Sequence, residues 1–134
     1  MSELSQDRAE HRAWLIDQTV VPPTGVAADL GCGHAEDLRL LAARHAGPGV
    51  RLIGVDISDA AESSVGTAAA ADSRISFRRA SLNERLPFED ASLDLVYSHN
   101  LIECLREPPS CARELARVLR PDGQVVVAHW DCDA

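Results

Sequence analysis

The sequence is short of aromatic side chains. Phe, Trp and Tyr together make up 4% of its 134 residues, so its core must be assembled from Leu, Val, Ile and Ala. It also lacks an excess of positive charge: 13 Lys and Arg face 21 Asp and Glu, for a formal net charge of -8. A negative field of that kind repels phosphate backbones and anionic lipid, so neither nucleic acid nor a membrane surface is expected as a partner. The Arg78-Arg79 pair and Arg113, Arg117 and Arg120 are scattered and form no basic run. Cys32, Cys104, Cys111 and Cys132 include no C-x-x-C pair, which is poor spacing for a zinc knuckle. The polar start MSELSQDRAEHRAWL holds no apolar core of signal-peptide length, and no stretch approaches a membrane span. Free thiols in a reducing cytoplasm are the expectation that these absences leave.

What is present is a globular composition, 46% hydrophobic, at a length that suits one domain, residues 1–134. The pattern predicts an N-terminal helix over about 5–18, within an arm of residues 1–21, and a core over 24–130. Val26 to Leu30 reads as a buried strand, Glu36 to about His45 as a helix, and 51–58 (RLIGVDIS) as a second buried strand. Asp59 to Ala71 is Ala-rich and reads as helical, with Gly66 as its weak point. Strands follow at 75–80, 93–98 and 124–130, with a helix at 110–119 whose Ala112, Leu115, Ala116 and Leu119 share one face. The turn Arg120-Pro121-Asp122-Gly123 separates that helix from the last strand. Strands alternating with helices imply a parallel sheet covered on both faces, with ligands held at the C-terminal strand ends.

Those strand ends carry the chemistry. Gly31 and Gly33 allow a sharp turn and the close approach of a ligand, and the next helix offers free N–H groups at its start. Asp56 ends the second strand, 23 residues beyond Gly33, where a carboxylate suits the two hydroxyls of a ribose. A dinucleotide would want a third glycine, but that position is Glu36, a carboxylate aimed where a pyrophosphate would sit. Asp29, two residues before the first glycine, suits a ligand that carries a positive amine.

These blocks, DLGCG (29–33), GVDIS (54–58), LPFEDASLDLV (86–96) and RELARVLRPDGQVVV (113–127), resemble the class I S-adenosylmethionine-dependent methyltransferases of the small-molecule type. The resemblance implies a Rossmann-like three-layer α/β sandwich with strand order 3-2-1-4-5. It implies S-adenosylmethionine as cofactor and S-adenosylhomocysteine as product. By the same resemblance Asp29, Gly31 and Gly33 line the methionine moiety, with Cys32 between them as a small loop filler. Asp56 takes the ribose, Ile57 flanks the adenine, and Ser81 and Leu82 sit at its edge. Ser98 and His99 lie near the sulfonium, with Asn100 and Glu103 at the same rim. His99 and His129 are the candidate bases.

Three departures from the family pattern stand out. Ala35 replaces a loop glycine, Ser81 replaces an acidic residue (Asn83 is the next polar candidate), and the sequence stops at Ala134, where the family adds a helix and an antiparallel strand pair. The last strand is then expected to form an apolar edge needing cover by a dimer mate or another protein, which would also complete the substrate lid. Two functions follow: methyl transfer to a small molecule, or a cofactor-binding module without transfer of its own. His34 and His45 read as surface residues, and Trp14 and Trp130 as packing or interface residues. His129, Asp131, Cys132 and Asp133 read as a solvated terminus, and no metal is expected.

Overall fold

The computed structural model describes residues 3–99 and 106–128. Helix α1 (Glu3–Asp17) leads into strand β1 (Val26–Leu30), helix α2 (Glu36–Arg44), strand β2 (Arg51–Asp56), helix α3 (Asp59–Ala71) and strand β3 (Ile75–Arg79). Strand β4 (Leu93–His99), helix α4 (Pro108–Val118) and strand β5 (Leu119–Ala128) follow. The sheet runs β3-β2-β1-β4-β5, and every adjacent pair is parallel. This is the expected Rossmann-like order, with the chain crossing over between β3 and β4.

Period-two alternation along the strands builds two apolar layers. Ala27, Leu52, Leu95 and Tyr97 face α1, α2 and α3, where they meet Leu15, Ile16, Leu38, Leu41, Ala61 and Val65. Ala28, Ile53, Val55 and Val96 face the other side, covered by Val118 of α4 and by Leu82, Leu86 and Phe88 of the β3–β4 connection. Tyr97 is the one aromatic among the largest fully buried side chains, as an aromatic-poor composition requires.

Local chemistry sets the element ends. Ser58 caps α3, its Oγ accepting the Ala61 N–H at 3.1 Å. Pro108 opens α4, where its missing N–H costs nothing. Arg74 closes α2 from below by donating to the carbonyls of Ala42 (2.9 Å), Gly47 (3.1 Å) and His45. His45, expected on the surface, is half-buried because its Nε2 lies 2.8 Å from the buried Thr19 hydroxyl. Gln124 of β5 fixes the chain leaving α1: its Oε1 accepts the Val20 N–H (2.8 Å) and its Nε2 donates to the Gln18 carbonyl (2.7 Å).

The one strand boundary that differs markedly from expectation is that of β5. Leu93 pairs with Leu119 and Leu95 with Gln124, with a register break between them. The turn at Arg120–Gly123 is therefore a bulge inside a longer strand: pairing with β4 resumes on both sides of it and absorbs the extra residues.

Arg117 and Glu114 of α4 staple the β3–β4 connection in place. Arg117 donates to the carbonyls of Leu86 (3.1 Å) and Phe88 (2.8 Å) and to Asp90, while Glu114 accepts the Leu86 N–H at 2.7 Å. The Arg117 hydrogen bonds, foremost, pull the Glu114 carboxyl down to about 2. A depressed carboxyl contributes stability that is complete above the unfolded value near 4.3 and is lost as pH falls toward 2. Urea melts between pH 5 and 2.5 should show that decline, and Glu114→Gln should flatten it; an unchanged slope in the variant would remove Glu114 from the account.

Candidate functional site

The C-terminal ends of β1, β2 and β4 meet the first turn of α2 and one side of α1. The chain leaves β1 through Gly31 and Gly33, which take φ of 75° and 50°, values that disfavour a side chain. The N–H groups of Gly31 (2.7 Å) and Cys32 (3.1 Å) both donate to the Val55 carbonyl, folding the loop over the end of β2. A Cβ built on Gly33 would meet nothing within 4 Å, so this backbone faces open space. Ala35 is itself left-handed at φ 66° and fully buried.

Asp56 binds the two strand ends together. Its Oδ2 accepts the Gly33 N–H at 3.0 Å, and its Oδ1 accepts the N–H groups of Ile57 (2.8 Å) and Ser58 (3.0 Å). Asp56 thus acts as a turn aspartate and bridges to the glycine loop as well. An ionised carboxylate has about four acceptor positions, which leaves room for a further donor.

Cys32 points inward. Its thiol packs against Gly54, where an added Cβ would sit 2.9 Å from the sulfur, and burial, aided by Asp29 and Asp56, pushes it up to about 12. It is a protonated filler inside the loop. Ser98 is also turned to structure: its buried hydroxyl donates to the Leu30 carbonyl at 3.0 Å.

Asp29 is buried, and its Oδ2 has no hydrogen-bond partner. Burial first, then the charges of Asp37 and Asp56, hold its carboxyl well above the usual range, with Arg12 opposing them. Among the described residues five buried side-chain polar atoms make no well-aligned hydrogen bond, and they share this site: Arg12 Nε and Asp37 Oδ1, which face each other as an ion pair, Tyr97 OH, which interacts with Asp37, and Asp29 Oδ2 and His99 Nε2. Arg12 reaches from α1 to within 2.6 Å of both Glu36 and Asp37. His99 Nδ1 lies 3.4 Å from Asp37 Oδ2, and the His11 ring packs on it at 5.6 Å between centroids. Buried polar atoms are nearly always satisfied in folded proteins, so the two left with no partner of any kind, Asp29 Oδ2 and His99 Nε2, mark this as a candidate polar-ligand site. The charge balance says which kind: three carboxylates share one guanidinium, and Asp29 calls for a cation.

Ile57, Ser81 and Leu82 line a neighbouring cleft of about 820 Å³ with Asn83, the start of α4 and Arg106. Ile57 is 65% exposed there, an apolar platform without a partner. The cleft covers one half of the expected site. The other half, around Asp29, is bordered by Arg12 of α1, whose charge opposes the raised carboxyl.

The sequence motifs thus come together in space, with Asp29, Gly31, Gly33 and Asp56 at one point and Ile57, Ser81 and Leu82 beside it. Asn100, Glu103 and His129 lie outside the described residues. Sequence reasoning missed Arg12, Asp37 and Tyr97, which no local signal tied to the loop, and Gly54, which did have one: a glycine inside an apolar strand marks a close approach. Among the described residues no group of three or more His, Cys, Asp and Glu is placed to hold a metal, and no helix is long and apolar enough to cross a membrane.

Comparison with known proteins shows the family. The methyltransferase-domain family matches residues 28–127. Tocopherol O-methyltransferase of Arabidopsis thaliana is 32% identical over 105 residues, 76% of this chain and 29% of that enzyme. Geranyl diphosphate C-methyltransferase of Streptomyces coelicolor A3(2), solved with S-adenosyl-L-homocysteine, shares the fold with a TM-score of 0.80 at 20% identity, over 93% of this chain and 47% of that one. A putative methyltransferase of Haloferax volcanii, solved in complex with the Trm112 methyltransferase activator, gives a TM-score of 0.74 at 26% identity over 92% of this chain and 55% of that one. The chain belongs to the class I S-adenosylmethionine-dependent methyltransferase family. It spans about a third of the length of the curated relatives it matches.

Proposed function

We propose that this chain binds S-adenosylmethionine and transfers its methyl group to a small-molecule acceptor. The observation that carries the proposal is Asp29, a buried carboxylate with an unpartnered oxygen, raised in pKa and set beside an open glycine loop. It fits the ammonium of an aminoacyl group. Gly31 and Gly33 would lie along that group, Asp56 would accept the ribose hydroxyls, and Ile57, Ser81 and Leu82 would hold the adenine. The cofactor supplies a methyl carbon on a positively charged sulfur, a good leaving group. The protein supplies alignment, an effect of up to about 7–11 kcal/mol, and His99 serves as base where the acceptor carries a proton.

Calorimetry with S-adenosylmethionine and S-adenosylhomocysteine tests the binding, and transfer of labelled methyl to a panel of small hydroxyl, amine and thiol compounds tests the activity. Micromolar binding of both is expected. Binding without transfer to any acceptor would favour a cofactor-binding module, and no binding would remove the proposal. We further infer a reducing, cytoplasmic setting, in which the buried Cys32 and Cys111 stay free thiols. A dimer mate or a protein partner covers the β5 edge, where Val125 and Val127 are exposed; the activator complex of the Haloferax volcanii protein is a precedent for the latter. A monomer by light scattering that transfers methyl unaided would overturn that part.

A further inference from the structure

We propose that Asp37 is a positioning residue that fixes the tautomer of His99, leaving Nε2 as the proton acceptor of the site. This rests on the reading of His99 as the base.

The His99 side chain is 6% exposed and that of Asp37 12%. Asp37 Oδ2 faces the ring nitrogen Nδ1 at 3.4 Å, whereas Nε2 is buried and has no partner. A carboxylate beside one imidazole nitrogen holds the proton there and leaves a lone pair on the other. Asp37 is itself held by Arg12, whose Nε is 2.6 Å from its Oδ1, so the carboxylate is anchored from α1 while it orients the ring on β4. A nucleophile's base oriented by a third group is the arrangement proton transfer needs.

The groups that bear on the imidazole are Asp37 from α2, His11 and Arg12 from α1, and, through their interactions with Asp37, Asp29 of β1 by charge and Tyr97 of β4 by hydrogen bonding. Burial, Asp37 and Asp29 keep the Tyr97 phenol protonated, so it cannot compete as base. The His11 ring lies against that of His99, tilted by 54° at 5.6 Å between centroids. The step then balances. The acceptor atom bonds to the methyl carbon as the carbon–sulfur bond breaks, its electron pair stays on sulfur, and the acceptor proton passes to His99 Nε2 and from there to water.

The test is imidazole ¹H–¹⁵N correlation spectroscopy of the full chain, with His99→Asn used to identify the His99 resonances. Neutral His99 is expected to carry its proton on Nδ1. Asp37→Ala removes the acceptor facing Nδ1 and is expected to bring the ring protonated on Nε2 into the spectrum. A neutral ring protonated on Nε2 overturns the proposal. So does an unchanged tautomer in folded Asp37→Ala. Should that variant not fold, the wild-type tautomer decides alone. Failure of the base reading is separate: His99→Asn would transfer labelled methyl at the wild-type rate while the tautomer still came out as stated.

Discussion

Replacing Asp29 with asparagine is expected to make the ligand-free protein more stable and to weaken its binding of S-adenosylmethionine. Wild-type Asp29 is buried among Asp37 and Asp56 with one oxygen unpaired, and its carboxyl is raised by burial and by those charges. A raised carboxyl binds its proton more tightly folded than unfolded. The wild-type protein therefore loses stability as pH rises from about 4, where the unfolded Asp ionises, toward the higher folded value. The amide has no charge to desolvate, so the variant should lack this slope. At pH 7 it should gain about 1–3 kcal/mol, a rise in Tm of roughly 4–12 °C. Ligand affinity should move the other way, falling at least ~30-fold, because truncating one partner of a buried charge pair costs about 2–5 kcal/mol. With saturating ligand the wild type should then be the more stable of the two. Thermal melts with and without ligand at pH 5 and pH 7 check both signs. A variant less stable at pH 7 without ligand would mean that Asp29 is a structural residue and that its unpaired oxygen has another explanation.

The opposed signs explain why this site was only half legible in the sequence. Asp29, Gly31, Gly33 and Asp56 were readable because each sits at the end of an apolar run, where composition changes abruptly and the backbone must turn. β1 and α3 have the expected boundaries for the same reason: proline and glycine precede one, and an Asx-type start and an aspartate bound the other. Arg12, Asp37 and Tyr97 were not readable in this way. Arg12 looks like any wet-face residue of an amphipathic helix, and Asp37 like an acid complementing a helix N-terminus. Only the packing of α1 on α2 puts them against Asp29 and His99, and that packing depends on distant anchors such as Gln124 of β5. β5 itself was misjudged because Pro121 and Gly123 spell a turn locally, while pairing with β4 on both sides outweighs it.

Gly54→Ala should cost the fold about 1–3 kcal/mol, a fall in Tm of roughly 4–12 °C, although it adds one methyl to a buried strand. That methyl would lie 2.9 Å from Cys32 Sγ and 3.1 Å from both Leu38 Cδ2 and Val65 Cγ2. α2 and α3 are fixed against the sheet, so the thiol is the group with freedom to give way. Moving it lifts the loop whose Gly31 and Cys32 N–H groups hold the Val55 carbonyl, and the open backbone at Gly33 moves with it. S-adenosylmethionine affinity should fall about tenfold together with stability, an effect of about 1.4 kcal/mol. Cys32→Ala separates this account from general overpacking. It removes the sulfur at a cost of about 1 kcal/mol and vacates the space the new methyl needs. In the Cys32→Ala background, Gly54→Ala should cost less than half of what it costs alone, a coupling of about 0.5–2 kcal/mol. Urea denaturation of the wild type, the two single variants and the double variant closes the cycle. Equal costs in the two backgrounds would place the clash on Leu38 and Val65 alone and would free Gly54 of any part in shaping the glycine loop.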